Sequence, residues 1–551
     1  MKRLAPCLLG LAALLLAARA ATAQEVAPPL EGISIHGDFQ TDVQTYKPDP
    51  LIGAPVVPER ILSNTFANLL MSSGRFSAGV RYEAYLAPLQ GFDSRYRGQG
   101  IAYRFATYSA DRLQVTVGNF YEQFGSGLIF RAYEERNLGI DNSLDGLRVR
   151  LTPYRGVRLT GMIGRQRFFF DKSPTLVRGA DAEISLNDLL PGFDSVATRL
   201  TVGGSFVSKY QADDDPALII PENVGAAAGR VTLTNGGFAL SAEYGEKVND
   251  PGLVNGYIYR PGRTALIMGT WSGRNLGVLL SAKRVDNFDF RVDRNTTGNY
   301  GQLNFLPALT RQHTYALAGT IYPYATQPLG EMAVQAEVNY HAPKGGWGGA
   351  YGTDVTVNFS AVNGIDRQLL ADGATRRQGY SSSFFKPGSQ VLFRDFNVEL
   401  HRRFTPLWKL NAMYLHLKYN KDAIQGLTEY GTIDADIFIL DALHKLAPKH
   451  SIRVEAQTLQ TKQDLGSWAM SLVEYTYSPH WFATIYDQYN YGNHVVAQRV
   501  HYVGGQVGYV GGTTRIALGY GRQRAGIVCV GGVCRFVPAS NGASLSITSS
   551  F

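Results

Sequence analysis

Histidine is the side chain best suited to acid–base chemistry near neutral pH, and the 10 histidines of this 551-residue chain are dispersed along it. None lies in a motif such as G-x-S-x-G or H-E-x-x-H, which would bring a nucleophile or a metal beside it. His401 follows Glu399 closely, but polar residues at the end of a strand explain that pair more simply. We therefore predict no catalytic residue, no cofactor and no metal site, and we expect that the chain is not an enzyme.

The densest mixture of charged and aromatic residues lies between Gly118 and Gly146. This stretch also contains several glycines and lacks the alternation of its surroundings. Because charges in an aqueous passage set selectivity in pores, we predict that the segment folds inward after a strand ending near Asn119 and constricts a lumen. The residues predicted to line that lumen are Tyr121, Glu122, Arg131, Glu134, Glu135, Arg136, Asp141 and Asp145.

A structural interpretation of these charges stays open. They could only wedge the segment in place by pairing with a neighbouring wall that carries Arg148, Arg150, Arg165 and Arg167. The element Gly125-Ser126-Gly127 lacks the Lys and the helix that follow in a phosphate-binding loop. The acidic run Asp213-Asp214-Asp215-Pro216 lacks the spaced ligands of a Ca²⁺ loop, so a solvated loop explains it better.

Two cysteines, Cys529 and Cys534, flank the sequence Val530-Gly531-Gly532-Val533. A glycine pair supplies the positive φ angles of a two-residue hairpin turn, and such a turn places the two cysteines opposite each other. We therefore expect a disulfide that pins a hairpin locally, since the loop that it closes is small. The alternative, half of a metal site, lacks the other ligands that a tetrahedral site needs.

The elements that must position these residues are strands with alternating side chains. In the last strand Ala543, Leu545 and Ile547 share one parity, and serine or threonine occupies most of the other. The same alternation recurs along the chain and implies strands with one apolar and one wet side. Short connections such as Ser72-Ser73-Gly74-Arg75 alternate with long ones such as Tyr46 to Arg60, which is typical of outer-membrane barrels.

Composition and the amino terminus agree with an exported protein. Only 18% of the residues are charged, against roughly a quarter in soluble domains. Lys2 and Arg3 precede an apolar run from Leu8 to Ala18, which is typical of a cleaved secretory signal. Cys7 precedes that run, where no lipoprotein cysteine would lie. Beyond the signal no run approaches the roughly 20 apolar residues of a membrane-spanning helix, and no basic cluster indicates nucleic-acid binding.

These patterns predict an all-β chain that forms a single large transmembrane antiparallel β-barrel of roughly 24 to 26 strands, with one inward-folded or rim segment. The expected organisation is a signal peptide at 1–23, a short periplasmic amino terminus at 24–32 and the barrel at 33–551. Within the barrel, 118–146 is the lumen segment and 543–551 is the assembly strand. An even number of strands places both termini on the periplasmic side and the cysteine hairpin at the outward-facing end.

Two resemblances support this prediction. The final strand ends in Phe551 and resembles the carboxy-terminal recognition strand of bacterial outer-membrane proteins, which implies that the barrel-assembly machinery recognises it. Three segments are similar to an uncharacterised outer-membrane barrel family of Bacteroidota, a domain of unknown function: Gly118 to Gly146, Arg178 to Glu183, and Gly519 to Phe551. That resemblance implies fold and location and brings no substrate, cofactor or catalytic residue.

The function expected from the sequence is that of a bacterial outer-membrane barrel acting as a porin-like channel or transporter for small polar solutes. One alternative is a structural or accessory barrel of a secretion or assembly complex, with its lumen filled by its own segments. An outer-membrane enzyme is the third. The expected partners are outer-membrane lipid, the barrel-assembly machinery, and a component of a secretion complex or a surface lipoprotein.

Overall fold

The computed structural model describes residues 32–213, 220–370 and 379–551. The predicted signal peptide at 1–23, the predicted amino terminus apart from its last residue, and Asp214 to Pro216 of the acidic run lie outside the described residues. Within the described chain, 24 strands form one closed antiparallel barrel. The predicted fold class and strand number are thereby confirmed.

Each barrel strand pairs with the next along the chain, and the last pairs with the first to close the ring. In chain order, β1 to β24 are Ser34–Gln44, Leu62–Ser73, Phe76–Ala87, Gly98–Ser109, Leu113–Phe120, Leu144–Leu151, Val157–Phe168, Leu176–Ser185, Arg199–Tyr210, Asn223–Asn235, Phe238–Lys247, Gly262–Ser272, Leu276–Asp286, Gly330–Ala342, Thr353–Asn363, Val391–Arg403, Trp408–Asn420, Thr432–Ala447, His450–Gln460, Trp468–Tyr477, Trp481–Tyr489, His501–Gly511, Thr514–Gln523 and Ser540–Ser550.

The remaining elements are short and lie in the connections. The α-helices α1, α2 and α3 are Leu186–Leu189, Ala316–Thr320 and Lys421–Gln425. The 3₁₀ turns are Pro50–Ile52, Ser94–Tyr96, Arg136–Leu138, Gly346–Gly348 and Val496–Gln498. Short strands outside the barrel ring are Glu134–Glu135, Ile140–Asp141, Asp171–Lys172, Gln368–Leu369, Tyr380–Ser381, Gly526–Val530 and Val533–Val537. In the described ranges no helix is long and apolar enough to cross a membrane.

The two-residue period of the sequence becomes the two faces of the barrel wall. On β3, Val80 and Tyr82 are 43% and 41% exposed, whereas Arg81 and Glu83 are 3% and 1% exposed. On this strand, apolar side chains therefore face outward and polar side chains face the interior, the reverse of a water-soluble protein. An exposed apolar surface of this extent needs an apolar surrounding.

The connections differ between the two ends of the barrel. We call one end the short-turn end, because residues 74–75 and 512–513 suffice there to join neighbouring strands. The other is the long-loop end, which carries the segments 121–143, 287–329 and 524–539. Because the number of strands is even, β1 begins and β24 ends at the short-turn end.

The last residue of the chain takes part in closing the barrel. Phe551 and Gly37 exchange two backbone hydrogen bonds, each 2.9 Å long. A Cβ atom at residue 37 would lie 2.2 Å from the Phe551 ring, so this close approach requires glycine. The final aromatic ring therefore covers the seam between the first and the last strand.

Cys529 and Cys534 form a disulfide within a hairpin that is separate from the barrel wall. Their Cα atoms are 4.0 Å apart, and they are direct partners in the ladder between Gly526–Val530 and Val533–Val537. Gly531 and Gly532 form the turn, with φ angles of 59° and 90°. We call residues 526–537 the disulfide hairpin; it belongs to the long-loop end.

A variant with both Cys529→Ser and Cys534→Ser is expected to keep a folded barrel. The bond joins residues only 5 positions apart, so it removes little chain entropy, and neither cysteine lies in the wall. Electrophoresis of unheated and heated samples distinguishes a closed barrel from an unfolded chain. Loss of the folded form in the variant would show that the barrel depends on the disulfide.

Candidate functional site in the barrel lumen

A 24-strand ring encloses a wide interior, and three segments from the long-loop end fold into it. We call them the β5–β6 segment (121–143), the β13–β14 segment (287–329) and the β23–β24 segment (524–539). Together they form what we call the lumen plug. The sequence predicts an inward fold for the first of these segments alone.

The centre of the lumen plug is apolar and dry. Ile129 of the β5–β6 segment and Phe288, Phe290 and Leu303 of the β13–β14 segment have no exposed surface. They belong to one cluster with interior side chains of many wall strands, for example Leu144, Val177, Val207, Val285, Val362, Leu415, Ile437 and Leu459. Burial on this scale excludes water from the middle of the barrel near its long-loop end.

Backbone hydrogen bonds join the three segments to one another. The amide of Arg131 donates to the carbonyl oxygen of Leu303 over 2.8 Å, and the amide of Phe305 donates to that of Gly127 over 2.9 Å. The amide of Ala308 donates to the carbonyl oxygen of Gly531 at the tip of the disulfide hairpin over 3.2 Å. The lumen plug is therefore a single folded unit rather than three independent loops.

Asp141 fixes the β5–β6 segment to the wall. Its carboxylate accepts a hydrogen bond from Arg167 over 2.6 Å and also pairs with Arg81. Both arginines also bind Glu83, at 2.7 Å for Arg81 and 2.6 Å for Arg167. Burial opposes ionisation of Asp141, but the two arginines outweigh it and hold the pKa of this carboxyl below its usual value.

Glu122 and Tyr121 make further contacts with the wall. Glu122 pairs with Arg150 at 2.7 Å and with Arg148 at 3.5 Å. The Tyr121 ring stacks on Tyr103 with 5.2 Å between the centroids, and burial raises the pKa of its hydroxyl well above the usual value. Both side chains are thus used to hold the segment.

Of the other predicted lumen residues, four lie in the β5–β6 segment and form two groups. Glu134 pairs with Arg136 at 2.8 Å and with Arg81 at 3.0 Å. Arg131 lies over the rings of Tyr133 and Phe305, and Glu135 accepts the amide hydrogen of Asn137; neither has an ion pair within the described residues. Glu122, Glu134, Arg136 and Asp141 are therefore ion-paired, as the structural interpretation of these charges requires.

Asp145 lies elsewhere than the sequence analysis expected. It is part of β6. Its two neighbours on this strand, Leu144 and Gly146, lie on the face directed to the interior. Side chains alternate along a strand, so its carboxylate faces the outside of the barrel. There it pairs with Arg104 at 3.5 Å and with Lys172.

The β13–β14 segment reaches polar side chains on the opposite wall. Arg311 pairs with Glu399 at 2.7 Å, and His313 hydrogen-bonds Asp395 at 2.7 Å. The Tyr315 hydroxyl donates to Asp441 over 3.1 Å. Each of these three wall carboxylates thus meets a donor from the segment, which fixes the depth to which the segment enters.

The whole sequence, residues 1–551, matches the model of DUF6029, a family of unknown function. The chain belongs to this family. The unknown-function family predicted from the sequence is thereby confirmed, whereas its assignment to Bacteroidota stays a prediction. No curated protein is similar to the chain in sequence.

The solved structures to which the chain is similar include outer-membrane barrels. The P pilus usher (PapC) translocation pore has a TM-score of 0.43 and 9% identity over 94% of this chain and 99% of its own. The siderophore receptor PirA from Pseudomonas aeruginosa has a TM-score of 0.39 and 9% identity over 94% and 80%. OccK5 (OpdH) from the same organism has a TM-score of 0.33 and 9% identity over 82% and 99%.

The lumen plug leaves space along one side of this DUF6029 barrel. A cavity of about 390 Å³ lies between α2, the disulfide hairpin and strands β20 to β23. A second cavity of about 220 Å³ lies beside β1 and β21 to β24. Both are lined by Tyr486, Gln506, Arg522 and Gln523, so they are neighbouring parts of one space, which we call the edge gap.

Sequence reasoning missed two features of this site. The β13–β14 segment was not singled out, although Phe288 and Phe290 within it signal a segment that must be buried. Arg524 and Arg535, near the ends of the β23–β24 segment, were not singled out either. The signal available was that this segment contains two arginines and no acidic residue.

Asp141→Asn is expected to lower the free energy of unfolding by about 3 kcal/mol, because it removes one of the negative charges that pair with the two buried arginines and leaves both arginines in place. Denaturant titration in lipid vesicles measures the change. Glu135→Gln is the matched control, since Glu135 lies in the same segment without an ion pair. Equal destabilisation by both variants would contradict the anchoring role of Asp141.

The same cluster predicts a pH dependence. The pKa of Asp141 is lower in the folded protein than in the unfolded chain, so its contribution to stability is present at neutral pH and is lost as the pH falls through the folded pKa. The stability difference between the wild type and Asp141→Asn should therefore shrink only in strongly acidic solution. A difference that disappears near neutral pH would contradict this assignment.

Proposed function

We propose that the protein is a bacterial outer-membrane channel whose lumen is closed over most of its cross-section by the lumen plug, and that small polar solutes pass through the edge gap. The observation that carries this proposal is the polar space along β20 to β24 and β1, beside an apolar plug centre. Gln44, Gln506, Gln523, Ser540 and Ser544 line the smaller cavity, and they offer hydrogen bonds to a hydrated solute.

The outward-facing side chains support a location in the outer membrane. Ile101, Val117 and Leu280 are more than half exposed on the outside of the wall, where hydrocarbon would cover them. In that setting, outer-membrane lipid is the partner of the apolar surface. Phe551 at the seam of the barrel is available for the barrel-assembly machinery that its sequence resemblance implies.

A second candidate is an accessory barrel of a secretion or assembly complex. The filled lumen favours it, since a barrel that only holds or positions a partner needs no open passage. The two candidates differ in one measurable property: the channel conducts ions in steps after reconstitution, and the accessory barrel does not. Enzymatic activity is the third candidate, because neither the lumen plug nor the edge gap contains the arrangement of nucleophile and base that a hydrolase needs.

The test is conductance of the purified protein in planar bilayers, with the wild type compared to a variant in which a short Gly-Ser linker replaces residues 526–537. Gly526 and Val537 are partners in the hairpin ladder, so a short linker can join the flanking chain without moving β23 or β24. The wild type should show small conductance steps, and the variant should show larger ones because the edge gap widens.

Unheated electrophoresis confirms that both proteins are folded barrels before they are compared. If a folded wild type and a folded variant both fail to conduct, the channel proposal is wrong and the accessory barrel is favoured. Copurification of a stoichiometric partner would strengthen that second outcome.

A further inference from the structure

The edge gap contains a positive charge without a negative partner in the described chain. Arg524 follows β23 directly and lines the larger cavity. Its guanidinium donates hydrogen bonds to the carbonyl and hydroxyl oxygens of Thr320 and to the carbonyl oxygen of Ala525. All three acceptors are neutral, and no carboxylate of the described residues lies within 4.0 Å of Arg524.

The guanidinium retains capacity for a ligand. Five N–H groups are available on an arginine side chain, and three hydrogen bonds to neutral oxygens leave two donors and the whole charge unsatisfied. Burial lowers the pKa of Arg524 to about 10, so the group is still charged at neutral pH. By contrast, Arg311 in the same lumen plug pairs with both Glu337 and Glu399.

The rest of this cavity has two kinds of surface. Thr484 lines it with a hydroxyl oxygen that has no hydrogen-bond partner in the described chain, and Gln488 and Gln506 add amide groups. Met470 and Ile527 supply apolar surface. Among its described lining residues there is no Asp or Glu. The volume of about 390 Å³ lies within the range of small-molecule sites.

We propose that this cavity binds a small organic oxyanion, with its carboxylate or phosphate group on Arg524 and its apolar part against Met470 and Ile527. A guanidinium matches the planar pair of oxygens of such a group and binds it with two parallel hydrogen bonds. The inference rests on the proposed function, because it names the class of solute that occupies the edge gap. Binding itself is measurable without transport.

The experiment is calorimetric titration of the full-length protein in detergent with benzoate, and with benzyl alcohol as the neutral ligand of similar size. Benzoate should bind the wild type, and benzyl alcohol should bind much more weakly. Arg524→Gln should weaken benzoate binding about tenfold or more, because a charge-assisted pair contributes roughly 1.5–3 kcal/mol.

Arg535→Gln is the matched control. It removes the same charge from the same segment, but Arg535 lies over the ring of Phe92 and does not line the cavity, so benzoate affinity should be unchanged. Arg524→Lys retains the charge without the planar fork and should give intermediate affinity. This variant also keeps the test decisive if Arg524→Gln does not fold.

The outcomes separate the two proposals. If the folded wild type binds neither benzoate nor phenyl phosphate, the proposal of an oxyanion site is wrong. It is also wrong if Arg524→Gln binds these ligands as tightly as the wild type. Binding that depends on Arg524 in a protein without conductance supports the site and contradicts the channel. Comparing phenyl phosphate with benzoate shows which oxyanion the site prefers, and dependence on Arg524 with either one supports the proposal.

Discussion

Charged side chains on the inside of the wall must find partners, and this constraint determines how the interior is filled. Lys283 and Glu331 are both fully buried inside the barrel and pair at 2.6 Å, and unpaired charges there would be strongly destabilising. The connections at the long-loop end supply other partners. Asp250 is buried between Lys209 and Lys247; burial opposes its ionisation, but the two lysines keep its pKa below the usual value. Wall and connections therefore stabilise each other through these pairs.

The same constraint explains why the lumen plug has an apolar centre and a charged rim. Its rim meets polar side chains of the wall through ion pairs, such as that of Asp141 with Arg167, whereas its centre forms one apolar cluster with interior side chains of the wall. A 24-strand ring is too wide for wall side chains alone to fill. Three segments can fill it only if they share an apolar core, as a small domain does. Any remaining water must then lie at the boundary between plug and wall, which is where the edge gap is found.

The wall could be predicted from the sequence because its signal is periodic. Each strand repeats apolar and polar residues every second position, and the lengths of the connections reveal which end they belong to. The lumen plug has no such period, since its residues are fixed by contacts with distant strands. Arg167 was among the wall arginines that the sequence offered as partners for these charges, but nothing near Asp141 in the sequence indicates that Arg81 is the second partner. The same limit explains Asp145: it stands among residues of a lumen segment, but it already belongs to β6, and strand alternation turns it outward.

Arg524 differs from the paired charges described above, because its hydrogen bonds go to neutral oxygens only. Its counterpart Arg535 also lacks a carboxylate partner in the described chain, but Arg535 lies 4.1 Å from the centre of the Phe92 ring, a contact that partly replaces an anion. Arg524 lies 5.9 Å from the Trp468 ring and instead lines an open cavity. Burial lowers its pKa, and this effect outweighs the opposing influence of Tyr502 and Tyr322. An oxyanion bound in the cavity would supply a negative charge and raise the pKa again. By linkage, the protonated guanidinium must then favour the oxyanion over a neutral solute of the same size.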